Sequence, residues 1–318
     1  MKIKKIHSLF LCRTPLQARI CIEIIRENKI SEFDVIYFTQ NDSKSDKLYF
    51  SQLSEKARNS NYIYIKKQYK DILNHLFSII ELKKRGLAHN YKYIYIASID
   101  CFLFRFVVKK NPKASLLGFD DGSANITSGS LYYNLDKYKK SEFYAKILGL
   151  PKANKVKLKL IKHYSIYPSF ENIISQDKIH YINLFTQNSK NILSDSSTST
   201  TYFIGQPFHE YLDTKQIKLL QSWLGNQVID YYILHPREKN QLICEIPVLE
   251  THGLLAEDAI FKISHDSKIR IISAYSTVLF NINCQNAEKI YLSLSNDRNE
   301  IERRSLIEKT GSKIITLI

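Results

Sequence analysis

Short apolar runs and stretches of helical spacing alternate along nearly the whole chain, an order that leaves few architectures besides parallel β-sheets with crossover helices. In the first half, strands are predicted at 6–12, 33–38, 62–65, 93–97 and 114–119, with helical patterns at 72–82 and 102–108 between the last three. The first strand breaks at Arg13-Thr14-Pro15 and is followed by Leu16, Ile20, Ile24 and Ile25 at helical spacing. Thr14 is therefore an N-cap and Pro15 the first helical residue, where a missing N–H costs nothing. Another helix is expected at 143–150, ahead of a basic run at 152–162 in which Val156, Leu158 and Leu160 alternate with other residues.

A polar stretch at 187–201 interrupts the pattern, and the domain boundary is placed inside it, giving domains 1–195 and 196–318. The alternation then resumes, with strands at 202–205, 231–234, 269–274, 290–294 and 313–318. Helices are expected between them at 214–224, 257–263, 277–282 and 297–309. A chain of 318 residues is long enough to bury two cores. Each half reads as Rossmann-like α/β, and open sheets of that kind bind ligands beyond the carboxyl ends of their strands.

Charge narrows the partners without choosing one. Lysine and arginine outnumber aspartate and glutamate by 46 to 31, a net +15 that draws anions: nucleic acid, an anionic membrane or an acidic nucleotide-sugar. The lysines are scattered over 2–5, 66–70, 83–85, 137–140 and 152–162, and no nucleic-acid-binding motif accompanies them, so nucleic acid is not an expected partner. No apolar run approaches the roughly 20 residues of a membrane-spanning helix, and the chain is expected to be soluble while able to rest on a membrane. Five cysteines (Cys12, Cys21, Cys101, Cys244, Cys284) are an odd number without C-x-x-C spacing, which reads as buried thiols in a reducing compartment. Neither a Walker sequence nor Gly-x-Gly-x-x-Gly is present, which argues against P-loop and dinucleotide enzymes.

Two strand ends carry the chemistry. Asp120 and Asp121 follow the run at 114–119, and His235, Pro236 and Arg237 follow the run at 231–234, so Asp121 and His235 are candidates to face one another across a cleft. Asp-Gly is a turn signal in its own right, but a partly desolvated carboxylate at a strand end can also serve as a general base. A histidine at the other strand end can neutralise a leaving phosphate, aimed by the turn that Pro236 fixes. Ser276 and Thr277 open a predicted helix; they are N-cap residues that also suit a phosphate. Glu257 is a first-turn acid that could accept ribose hydroxyls. Gly205 would allow close backbone approach of a nucleotide or sugar. There is no Asp-x-Asp, so no metal clamp is suggested.

As an ordered set, these stretches resemble glycosyltransferase family 52, the bacterial lipooligosaccharide sialyltransferases. The matching pieces are Leu11-Cys12-Arg13-Thr14-Pro15-Leu16-Gln17, Phe119-Asp120-Asp121-Gly122 with Asn125, His163-Tyr164-Ser165-Ile166-Tyr167, Gly205-Gln206-Pro207, His235-Pro236-Arg237 and Ser276-Thr277. The resemblance implies a GT-B fold, two Rossmann-like domains facing a central cleft, with acceptor in the first domain and CMP in the second. It implies inverting, metal-independent transfer of sialic acid from CMP-sialic acid to a galactose-type hydroxyl, without a cofactor. Carried over, Asp121 is the base, His235 contacts or protonates the CMP phosphate, and Ser276 and Thr277 bind it. Some relatives place their base directly after the Gly-x-Pro turn, where this chain has Phe208. The base is then Asp121, Asp120 or Glu210, and Asp121 is preferred because it stands within the motif. A UDP-hexose transferase of the same family is the alternative. A peripheral place on the inner face of the cytoplasmic membrane and a homodimer are compatible with the resemblance.

Overall fold

The computed structural model describes residues 8–66, 71–86, 90–135, 139–185, 199–238, 241–243, 245–264 and 267–317. The expected boundary at 195/196 lies outside them, as do Cys244 and the lysines at 2, 4, 5, 67, 70 and 137. The chain divides into two compact units, Met1–Leu184 and Phe185–Ile318.

The first unit holds β1 (Ser8–Cys12), α1 (Pro15–Glu27), β2 (Phe33–Thr39), α2 (Lys44–Ser54), β3 (Asn59–Tyr64), α3 (Asp71–Arg85), β4 (Tyr93–Ile96), α4 (Phe102–Lys110), β5 (Ser115–Phe119), α5 (Lys139–Ile147), α6 (Ala153–Leu158), β6 (Leu160–Ser165) and β7 (Ile179–Tyr181). Its strands form one parallel sheet in the order β3-β2-β1-β4-β5-β6-β7. β1 and β2 are buried along their whole length, as largely apolar strands in a sheet covered on both faces should be, with Asp34 the one buried charge in them. The strand order reverses between β1 and β4, so this unit's binding crevice is expected at the carboxyl ends of those two strands.

The second unit holds β8 (Ser199–Ile204), α7 (Thr214–Gly225), β9 (Tyr231–Ile233), α8 (Ala256–Ser264), β10 (Lys268–Ser273), α9 (Val278–Asn281), β11 (Ala287–Ser293), α10 (Arg298–Glu308) and β12 (Lys313–Thr316). Its parallel sheet runs β12-β11-β10-β8-β9, with the reversal between β8 and β10. Phe203, Phe208, Tyr232, Ile272, Ile290 and Leu292 make its core.

Thr14 caps α1 by accepting from the Gln17 N–H, with Pro15 at the first helical position. Two elements depart from the sequence pattern. α2, unforeseen because its mean hydropathy is low, starts at a capping box in which Ser43 and Asp46 satisfy each other's backbone N–H groups. The alternating run at 152–162 divides into helix α6, whose Ala153 and Val156 are buried at i, i+3 spacing, and only then strand β6.

Cys12, Cys21 and Cys101 are free, buried thiols, and Cys284 is half-buried. Cys12 and Cys21 share an S–H···S contact of 3.4 Å, and burial raises the Cys21 pKa well above that of an ordinary thiol. No described helix is long and apolar enough to cross a membrane.

Candidate active site

In the first unit, loops after β1, β4 and β5 converge on Asp121, at the reversal of strand order. Its Oδ1 accepts from Gln17 Nε2 at 2.5 Å, and its Oδ2 accepts from the Ser98 hydroxyl at 2.9 Å and the Tyr132 hydroxyl at 2.5 Å. Its own N–H donates to Asn125 Oδ1 at 2.7 Å. A carboxylate offers about four lone-pair sites; among the described residues three are filled, which leaves one on Oδ1. The residue is half-buried.

Asp120 differs in every respect. It is fully buried, with Oδ1 accepting from His163 Nε2 (2.8 Å) and Asn172 Nδ2 (3.2 Å), and Oδ2 from the Ser165 hydroxyl (2.7 Å) and the Ile166 N–H (2.8 Å). All four lone-pair sites are filled by fixed partners, which favours Asp121 over Asp120 as the expected base. The His163-Tyr164-Ser165-Ile166 stretch of the motif set exists to hold it. Gly118 is needed beside this network, because a Cβ there would lie 2.4 Å from His163 Nδ1.

Of the side chains around Asp121, Arg13, Gln17 and Asn125 stand in the motif set, while Ser98, Asp100 and Tyr132 were not singled out from the sequence. Gln17 also bonds Ser98, at 3.0 Å, and its Oε1 accepts from the Arg13 N–H at 2.7 Å. Tyr132 can also donate to Asp100, 3.2 Å away. Burial raises the Asp100 pKa against the pull of Arg13, with Asp121 adding to the rise. Burial opposes the charge on Arg13, but Cys101, Asp100 and Asp121 together outweigh it and raise the Arg13 pKa. One half-buried cation near two carboxylates and a bridging phenol thus forms a polar cluster beside the strand ends. The signal available in the sequence was position: Arg13, Ser98 and Asp100 all follow the carboxyl ends of strands.

In the second unit three neighbouring strands deliver the other expected residues: Gly205 after β8, His235 after β9, and Ser276 and Thr277 after β10. His235 is half-buried, and its Nδ1 accepts from the Arg237 N–H at 3.1 Å, so in the neutral ring the proton is on Nε2. Burial first, and Arg237 second, lower its pKa. Pro236 is exposed in the turn, which closes through the Glu238 N–H and His235 carbonyl at 2.8 Å. Glu238, also unforeseen, accepts from the His235 N–H (3.2 Å) and the Tyr232 hydroxyl (2.5 Å) and fixes the turn from behind.

At Gly205 a Cβ would meet Glu238 Oε2 and the Tyr232 ring, so the position is held to glycine by the protein's own side chains. Phe208 is buried, its ring stacked near Phe203. Glu210 stands exposed and ion-paired with Arg237, an arrangement worth at most about 1 kcal/mol.

Tyr275, next to Ser276, has φ +64°, a left-handed conformation unusual for an aromatic residue. Its ring packs edge-on against Tyr211 and under the Arg303 guanidinium. Ser276 is buried with its Oγ accepting from the Val278 N–H at 3.3 Å, so its O–H is free to donate, while Thr277 is exposed. Glu257 lies on the buried face of α8 with Ile260 and Ser264; its Oε1 accepts from Asn281 Nδ2 at 2.6 Å, and burial raises its pKa. Among the described residues, no group of three or more His, Cys, Asp or Glu is placed to hold a metal ion.

Two parallel α/β units in tandem, each with polar residues gathered where strand order reverses, are the arrangement of the GT-B fold. Solved structures agree at the level of fold: a UDP-N-acetylglucosamine 2-epimerase superposes with a TM-score of 0.53 at 12% identity, over 99% of this chain and 84% of that one. The calicheamicin glycosyltransferase CalG4 gives 0.53 at 8% identity, over 99% and 86%. The sequence model of glycosyltransferase family 52 matches residues 31–294, and the chain belongs to that family. Among its relatives are a CMP-N-acetylneuraminate:beta-galactoside alpha-2,3-sialyltransferase of Pasteurella multocida, 26% identical over 98% of this chain and 99% of that protein, and an N-acetyllactosaminide alpha-2,3-sialyltransferase of Haemophilus influenzae, 29% identical over 86% and 88%.

Proposed function

We propose that this glycosyltransferase moves sialic acid from CMP-sialic acid to a galactose-type hydroxyl of a lipid-linked surface glycan, with inversion and without a metal. The observation that carries the reading is the end-to-end likeness to the Pasteurella sialyltransferase. The geometry of both units supports it. The acceptor hydroxyl gives its proton to the open lone pair of Asp121 Oδ1 as its oxygen attacks the anomeric carbon. The bond from that carbon to the CMP phosphate oxygen breaks, and direct attack from the opposite side inverts the configuration.

CMP leaves with one phosphate, whose growing charge needs donors rather than a bridging cation. His235 Nε2, with the Ser276 and Thr277 hydroxyls, supplies them. Arg237 and Pro236 flank that histidine at the surface. For Glu257, Asn281 holds Oε1, so Oε2 is the acceptor a ribose would use. The first unit, on this reading, is the acceptor side and the second the CMP side, with 1–195 and 196–318 as the functional division. The enzyme works as a peripheral protein at the inner face of the cytoplasmic membrane, either alone or as a homodimer.

Nucleotide choice tests the reading. CMP should raise the melting temperature of the protein and UDP at equal concentration should not. Stabilisation by UDP alone would transfer the proposal to a UDP-hexose donor.

A further inference from the structure

We infer that the solvent face of α5 is the surface by which this protein lies on an anionic lipid bilayer. α5 is held by its inner side: Ala145 is buried, and Glu142, its one acid, points inward to the guanidinium of fully buried Arg105, with Arg105 NH2 to Glu142 Oε2 at 3.0 Å. Arg105 in turn donates to the Pro151 carbonyl at 2.6 Å, so α5 and the chain after it are pinned to α4. The outer side has no such ties to explain its composition. Phe143 and Ile147, at i, i+4 spacing on the side opposite Ala145, are 60% and 63% exposed.

Single exposed apolar residues are ordinary. Two large ones aligned on one helix face, between lysines and with no outward acid, are not. Lys139, Lys140 and Lys146 are exposed around that pair, and Lys109 reaches the end of α5, its Nζ 2.9 Å from where a Cβ on Gly149 would stand. Such a face matches a bilayer interface: apolar side chains enter the acyl boundary while ammonium groups stay among anionic headgroups. Nucleic acid is a poorer match, because it would leave Ile147 and Phe143 against phosphate and water. The choice of a bilayer over a second copy of this chain rests on charge, since two copies of this face would set lysines against lysines.

The placement deepens the proposed function and rests on it for one step. α5 belongs to the first unit, as Asp121 does, and that is the unit to which the proposed function assigns the lipid-linked acceptor.

Vesicle flotation without any sugar nucleotide tests the surface independently of the chemistry. Wild-type protein should float with phosphatidylglycerol-containing vesicles and not with phosphatidylcholine alone. The variant Phe143→Glu/Ile147→Glu, which changes only exposed side chains, should lose at least tenfold in partitioning. Lys139→Gln/Lys140→Gln/Lys146→Gln should lose roughly a hundredfold at low salt, about fivefold per charge. Both variants should keep wild-type turnover on a soluble acceptor such as lactose. Undiminished flotation of both variants would overturn the assignment, as would light scattering in which the Glu variant alone turns a wild-type dimer into a monomer. Absence of sialyl transfer with flotation behaving as stated would leave this face in place and sink only the transferase reading.

Discussion

Asp121→Asn separates chemistry from folding in this protein. The variant keeps the shape of the carboxylate and removes its capacity to take a proton. Its amide oxygen can still accept from Gln17, and the Ser98 and Tyr132 hydroxyls can rotate to accept from the new NH2 group. Rearranged in this way, the site loses about 1 kcal/mol of stability. The loss of a positioned general base is larger, roughly 10²- to 10⁴-fold in rate, or about 3 to 5 kcal/mol of transition-state stabilisation. CMP release from CMP-sialic acid in the presence of lactose measures it. The fall should appear in kcat, while affinity for CMP stays unchanged, because the proposed function puts the nucleotide on residues of the other unit. A variant that retains more than a tenth of wild-type kcat would refute the assignment. If Glu210→Gln were the variant that lost activity instead, the base would be Glu210.

Three further outcomes follow from the hydrogen bonds and charges described. Asp120→Asn sets an NH2 group against fixed donors in a fully buried site, which should cost on the order of 2 to 4 kcal/mol in urea unfolding; a loss below 1 kcal/mol would contradict the account of Asp120 as a filled structural acceptor. Arg237→Ala removes a charge that disfavours the His235 imidazolium, so the His235 pKa, followed by proton NMR, should rise; an unchanged or lower value would contradict the stated cause. Burial pulls the Lys289 pKa from 10.5 down to about 8, its Nζ donating to the Leu279 and Ile282 carbonyls. The folded state therefore binds fewer protons than the unfolded state between pH 8 and 10.5, and stability from this group rises with pH across that window by on the order of 3 kcal/mol. Lys289→Met should lack this rise in unfolding measured at pH 7.5 and pH 10, and a parallel change in both proteins would contradict it.

The fold was legible where periodicity is strong. The strands at β1, β2, β4 and β5 and most of the helices in the second unit stand within a few residues of where the apolar pattern puts them, because fully buried parallel strands leave largely apolar runs. α2 escaped because its buried face is only Tyr49 and Leu53 beside the capping Asp46, too few apolar residues to show a periodicity. β7 escaped because three residues, none of them fully buried, carry no pattern.

The site was legible only as positions on strand ends. Nothing in Asp120-Asp121 tells which aspartate is spent on structure; that is decided by His163, Ser165, Ile166 and Asn172, some forty to fifty residues later in the chain. Likewise the role of Gly205 depends on Glu238, and the left-handed Tyr275 that precedes Ser276 has no local signature, since its ring is held by Tyr211 and Arg303 from distant segments.

The most direct test of the central claim is a proton NMR time course of the purified protein with CMP-sialic acid, lactose and EDTA, run beside His235→Ala. Acceptor-dependent appearance of CMP together with an inverted sialoside, strongly reduced in the variant, is the predicted result. Absence of turnover together with absence of CMP binding would contradict the sialyltransferase account.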